Sequence, residues 1–217
     1  MTATAGQNAL YPSRSGAGST LGRQLNQRVR KPVIVWGITP SGVEIAATAA
    51  EAMQCLFDVV VTSTLRVEGV GVVGAIAEDA KAVFDPVFKP TFDQVEAVDE
   101  ALDRSRRVIK QERLLFRGQR VLHDVTGACV VVVDAQVTSP WKVLAAAECA
   151  EAMKPAQIVV AVAVCTQPVQ ERLRARRLEL VCPTVVMDPN GHPNPFGDPQ
   201  DASAERLKSI VIARQAA

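Results

Sequence analysis

Residues 130–143 read VVVVDAQVTSPWKV, and no other stretch narrows the fold as far. Four consecutive valines specify a strand covered on both faces, because a half-exposed strand would place a polar residue at every second position. Asp134 and Ala135 close the run, and Thr138-Ser139-Pro140 opens an Ala-rich helix that continues to about Met153. Ser139 suits the N-cap of that helix and Pro140 its first position, where a missing N–H costs nothing. A buried strand, a short loop and a helix in this order form the start of a βαβ unit. In an open α/β sheet, the crevice beyond the carboxyl end of such a strand receives phosphorylated ligands, because the N–H groups of the helix start point into it.

The same alternation runs through the chain. Val33 to Trp36 reads as a strand, Gly37 to Ser41 as a loop and Gly42 to about Met53 as a helix, with Ser41 and Glu44 spaced for a capping box. The turn Thr39-Pro40-Ser41-Gly42 is either an anion cradle or an ordinary capped βα turn. Phe57 to Thr62 is a second strand. Gly69 to Gly74 matches GxGxxG letter for letter, but Val72 to Ala77 has strand character. The dinucleotide fingerprint needs a helix there, so the glycines are assigned to a tight turn or hairpin. Thr91 to about Phe116 is the longest helical signal, acidic in its first half and basic in its second, an order that matches the helix dipole and also leaves room for a phosphate-binding basic face. Apolar runs at Ala156–Val164 and Leu178–Met187, with a short Arg-rich helix from Pro168 between them, complete about five strand–helix alternations. The expected class is α/β, a doubly wound, largely parallel sheet flanked by helices.

Composition sets the limits. With 48% apolar and only 4% aromatic residues, Val and Ala must build the core, which suits a parallel sheet under closely packed helices. The length of 217 residues suits one domain with tails. The expected division is a flexible basic arm at 1–31, an α/β domain at 32–187, and a Pro/Gly-rich loop with a C-terminal helix at 188–217. A formal charge of +1 gives no reason to expect nucleic acid or an acidic membrane surface as a partner. Arg14, Arg23, Arg28, Arg30 and Lys31 put five positive charges on the arm, leaving −4 on the rest. That acid-poor, Ser- and Arg-containing arm has the look of a transit peptide too, although plain low-complexity composition accounts for it; docking of Tyr11, Leu21 and Leu25 onto a neighbouring subunit is a third reading. Five widely spaced cysteines without C-x-x-C spacing, and two isolated histidines, argue for a reducing compartment and against a structural metal site. Without a long apolar span or a hydrophobic signal core, the expected location is the cytoplasm.

Glu112 to Val164, with its Phe-Arg-Gly, its long apolar strand ending in an acid, its Ala-rich helix and its P-x-x-IVVAVAV run, resembles the C-terminal half of a type I phosphoribosyltransferase domain. The resemblance extends back over Val33 to Asp79. It implies a fold that transfers ribose 5-phosphate from phosphoribosyl pyrophosphate (PRPP) to a nitrogen nucleophile, with magnesium. In that family two adjacent acids take the ribose hydroxyls, and a Thr-Gly-(Gly/Ala)-Thr turn offers successive N–H groups to the 5-phosphate.

Set beside that pattern, this chain departs at most ligand contacts. Asp134 keeps the first acid, and Ala135 replaces the second. Ser139-Pro140-Trp141-Lys142 stands where the cradle belongs; Pro140 has no N–H to offer, and Trp141 is bulky. The first turn keeps one glycine and no Arg, and Ser63-Thr64 replaces an Arg-Lys pair. Each unpaired ligand group costs roughly 1–3 kcal/mol. The expectation is therefore a phosphoribosyltransferase-like protein without PRPP binding, transferase activity or cofactor, serving as a binding, regulatory or assembly component and forming a homo-oligomer or engaging a protein partner. The alternative is an active transferase or nucleotide-binding enzyme with an altered cradle, using magnesium with PRPP. No catalytic or metal-binding residue is assigned. Asp134, Ser139, Lys142, Thr39, Ser41 and Gly42 are the ligand-binding candidates if binding persists, and Trp141 is a pocket filler or a partner contact. Lys142 sits unfavourably in a first helical turn, which suggests that it holds an anion or carboxylate.

Overall fold

The computed structural model describes residues 9–188, 190, 192–198 and 202–215. Helix α1 (Arg14–Leu25) precedes strand β1 (Val33–Ile38), helix α2 (Val43–Met53) and strand β2 (Leu56–Val60). Strands β3 (Thr62–Val67), β4 (Gly71–Ala77) and β5 (Val83–Phe84) form a separate antiparallel sheet. Helix α3 (Val95–Arg117) leads to β6 (Cys129–Val137), α4 (Trp141–Ala152), β7 (Gln157–Thr166) and α5 (Gln167–Ala175). Two short strands, β8 (Glu179–Val181) and β9 (Thr184–Val186), and helix α6 (Ala204–Gln215) follow.

The main sheet has the order β2-β1-β6-β7-β8, with β9 also on β7, and every pairing in it is parallel. Alternate residues of β6 serve opposite faces. Val131 and Val133 join the layer of α1, α2 and α6, whereas Val130 and Val132 join that of α4 and α5. Both faces are thus covered, as the valine run requires. The Gly69 and Gly71 backbones, both at positive φ, form the β3–β4 hairpin turn, so the GxGxxG letters belong to a hairpin and not to a strand-to-helix turn. Thr91 and Gln94 make the expected capping box ahead of α3.

The N-terminal arm differs from its expectation. Residues 14–25 form a helix, and Ala17, Leu21 and Leu25 are fully buried in the domain's own core beside Val35, Val131, Leu207 and Val211. A Cβ on Gly18 would come 2.5 Å from the Ile45 carbonyl, and one on Gly22 2.7 Å from the Ala52 Cβ, so these glycines let α1 lie close on α2. Tyr11 donates its hydroxyl to the Ala163 carbonyl at 3.1 Å, and the Arg14 guanidinium lies 4.8 Å over the Phe196 ring. Segment 9–31 is therefore part of the domain, and Tyr11, Leu21 and Leu25 dock onto their own chain; residues 1–8 lie outside the described residues. The Leu178–Met187 run is likewise split, into β8 and β9.

A buried ion pair ties the hairpin to α3. Arg117, at the end of α3, meets the Glu78 carboxylate with both side chains 1% exposed, and Glu78 also accepts the Val61 N–H at 3.0 Å. Burial pushes the Glu78 carboxyl above the ordinary range, and the Arg117 charge opposes that rise.

Candidate functional site

The carboxyl ends of β1 and β6 are adjacent in the sheet, so the β1–α2 turn lies beside the β6–α4 loop. The Ser41 hydroxyl donates to Asp134 Oδ1 at 2.5 Å, and the same oxygen accepts the Ala135 N–H at 2.8 Å. Asp134 itself is 5% exposed. Lys142 Nζ reaches across to the Thr39 carbonyl at 2.8 Å. Thr39 is fully buried and turns its hydroxyl toward α3, where Glu112 Oε2 accepts it at 2.7 Å. A Cβ on Gly42 would collide with the Val133 carbonyl and lie 3.0 Å from the Asp134 Cα, so this glycine permits the turn to rest against β6.

Three of the turn's N–H groups are taken by backbone carbonyls. Thr39 N–H goes to the Val60 carbonyl at 3.2 Å, Gly42 N–H to the Ile38 carbonyl at 2.8 Å, and Val43 N–H to the Pro40 carbonyl at 3.4 Å, while Pro40 has none to give. The Ser41–Glu44 capping box does not form. Gly42 holds the N-cap position of α2 with no side-chain cap, because the Ser41 hydroxyl is drawn to Asp134, and Glu44 pairs with Arg206 at 3.4 Å. The cap expected from Ser139 is absent too. Pro140 takes the N-cap position of α4, and Ser139 is exposed without a capping bond. Trp141 is 7% exposed, packed between Ala, Val and Cys side chains, with the Arg172 guanidinium 5.3 Å from its ring centroid.

A cleft of about 470 Å³ opens at this edge, lined by Ser41, Asp134, Ser139, Trp141 and Lys142 together with Thr64 and Arg66 of β3. A second cleft of about 540 Å³ adjoins it, between Arg14, Ala135 and Pro193–Phe196. Ser41 and Gln136 line both. Gln136 donates its side-chain amide to the His192 carbonyl at 2.9 Å, holding the 192–196 loop over the end of β6. The structure thus gathers Asp134, Ser139, Lys142, Ser41 and Trp141 at one opening, and it turns the Thr39 side chain away from them. Gln136 and Arg66 were missed by sequence reasoning. Strand alternation offered a signal for Arg66, which shares a strand face with Thr64, the position that lacks the expected basic residue. No cluster of His, Cys, Asp or Glu suited to a metal ion occurs among the described residues.

No family model matches the chain. Its structure is similar to that of the protein TT1426 from Thermus thermophilus, with a TM-score of 0.78 and 25% identity over 94% of this chain and 98% of that one. A hypoxanthine phosphoribosyltransferase from Staphylococcus aureus matches with a TM-score of 0.47 and 8% identity, over 81% of this chain and 73% of that one. A phosphoribosyltransferase from Corynebacterium diphtheriae matches with a TM-score of 0.47 and 17% identity, over 80% and 79% of the two chains. The chain thus shares its α/β fold, a parallel main sheet flanked by helices, with TT1426. Among the described residues, no helix is long and apolar enough to cross a membrane.

Proposed function

We propose that this phosphoribosyltransferase-like protein neither binds PRPP nor transfers its ribose 5-phosphate, and that it works in the cytoplasm as a homo-oligomeric binding, regulatory or assembly component. The observation that carries the reading is the internal satisfaction of the site. Asp134 Oδ1 takes the Ser41 hydroxyl and the Ala135 N–H, Lys142 donates to the Thr39 carbonyl, and the Thr39, Gly42 and Val43 N–H groups of the first turn go to backbone carbonyls. A ligand would have to break these bonds before making its own, at roughly 1 kcal/mol each and more where a charge is left unpaired. The donor set does not fit magnesium with PRPP either, since Ala135 stands where the second acid belongs and the cleft offers one carboxylate, Asp134.

Calorimetry of the full chain with PRPP and magnesium tests this, with no heat of binding expected and micromolar binding overturning it. A second reading, a nucleotide-binding enzyme with a rebuilt cradle, is favoured by one observation: α4 starts without a side-chain cap at a cleft that also holds Arg66. A panel of nucleotides in the same experiment separates the two. The variant Ala135→Asp/Ser139→Thr/Pro140→Gly/Lys142→Thr is expected to gain phosphate binding if only the loop has been lost.

A further inference from the structure

Helix α3 spans 23 residues, about 34 Å at 1.5 Å per residue, and is held by one face only. Ala101, Ser105 and Ile109 are buried against the hairpin, which fixes the orientation of the opposite ridge. That ridge follows the three- and four-residue spacing of a helix surface through Glu96, Asp99, Asp103, Arg107, Lys110 and Leu114, all exposed, and the exposed Phe92 stands in the single 3-10 turn, Phe92–Gln94, that leads into the helix.

The ridge is complementary to its own reverse. Four residues to either side of Asp103 stand Asp99 and Arg107, and seven to either side stand Glu96 and Lys110. On the flank, Glu100 and Arg106 are three away, and Asp93 and Arg113 ten. Phe92 and Leu114, eleven away, close the two ends and are 92% and 49% exposed. Among the described residues, Glu96, Asp99, Arg107 and Lys110 form no ion pair within the domain, whereas Glu100 pairs with Arg104 and Asp103 with Arg106. The helix dipole accounts for acid before base. It does not account for equal spacing about a single residue, or for large apolar side chains at both ends.

We propose that the exposed ridge of α3 is a homodimer seam, in which a second copy of this chain lies antiparallel across a two-fold axis at Asp103. Such an axis sets Asp99 against Arg107, Glu96 against Lys110 and Phe92 against Leu114 of the other copy, each contact occurring twice, as an isologous interface demands. The Asp103 side chains meet at the axis with their charge offset by Arg106 of the same helix. The seam deepens the homo-oligomer part of the function proposed above and is independent of the PRPP site.

Sedimentation velocity and native mass spectrometry of the full chain test it. At low salt the protein is expected to dimerise, and at about 1 M salt, where the screening length falls to about 3 Å, to dissociate. Glu96→Lys/Asp99→Lys and Arg107→Glu/Lys110→Glu are each expected to weaken self-association at least about tenfold, because each like-charge contact so created occurs twice in the dimer. Mixed one to one, the two variants are expected to form a heterodimer, with circular dichroism confirming that both are folded. A monomer at low salt would overturn the seam together with the homo-oligomer reading. An oligomer indifferent to both variants, or variants that fail to pair with each other, would overturn the seam alone. The PRPP titration has a separate readout and bears on neither result.

Discussion

The Ser41 hydroxyl and the Asp134 carboxylate close on each other at 2.5 Å, across the crevice between β1 and β6. Replacing Asp134 with Ala is expected to cost about 1–3 kcal/mol in urea unfolding, since the Ser41 hydroxyl and the Ala135 N–H both lose their acceptor. Ser41→Ala should cost less, and the double variant should show a coupling of at least about 0.5 kcal/mol. Strict additivity would mean that the bond contributes nothing. PRPP titrations should be the same for all four proteins.

Among the described residues Glu78 and Arg117 form the deepest ion pair, and its removal should be asymmetric. Glu78→Gln alone is expected to destabilise by about 3–5 kcal/mol because Arg117 is left buried without its counter-charge. Glu78→Leu with Arg117→Met should recover a large part of that loss. A cost below about 1 kcal/mol for Glu78→Gln would show that water reaches the pair.

Leu21 discriminates a docked helix from a free arm. It is fully buried, so Leu21→Ala should lower stability by about 2–5 kcal/mol. An unattached segment would stay within about 0.5 kcal/mol.

The five thiols should separate by pH. A hydrogen bond from Cys165 holds the Cys182 thiol below its ordinary value, whereas burial pushes Cys55 and Cys129 up to about 11 and Cys149 up to about 12. The thiolate is the reactive form, so as pH rises Cys182 is expected to alkylate first in a peptide-mapping time course. Labelling of Cys129 or Cys149 ahead of Cys182 in the folded protein would contradict the assignment.

The valines of β6 and the apolar run of β7 were legible because a parallel strand covered on both faces leaves little room for any other residue type. Helix α1 was not, even though Arg14, Ala17, Gly18, Leu21, Gly22 and Leu25 recur at helical spacing and are all buried. Half of that stripe is Ala and Gly, which carry little hydrophobic signal and read as flexible chain, although here their small size is what lets two helices approach. The candidate site was legible as a location and not as a bonding pattern. Ser41 and Ser139 both suit a helix cap by local rules, but Asp134, distant in sequence from Ser41, outcompetes the α2 backbone for one hydroxyl, and Pro140 displaces the other from the cap position. Contacts of that range leave no trace in local spacing.

The clamp on α1 also sets an order of events during synthesis. Arg14 N–H donates to Asp198 at 2.7 Å across 184 residues of chain, and Leu10 and Tyr11 donate to the Pro195 carbonyl. At about 5–20 residues per second, the ribosome delivers the first partner on the order of 10–40 s before the second. Through that interval the apolar stripe of α1 has no C-terminal clamp to hold it. Until then α2, on which Gly18 and Gly22 rest, is what holds it in place.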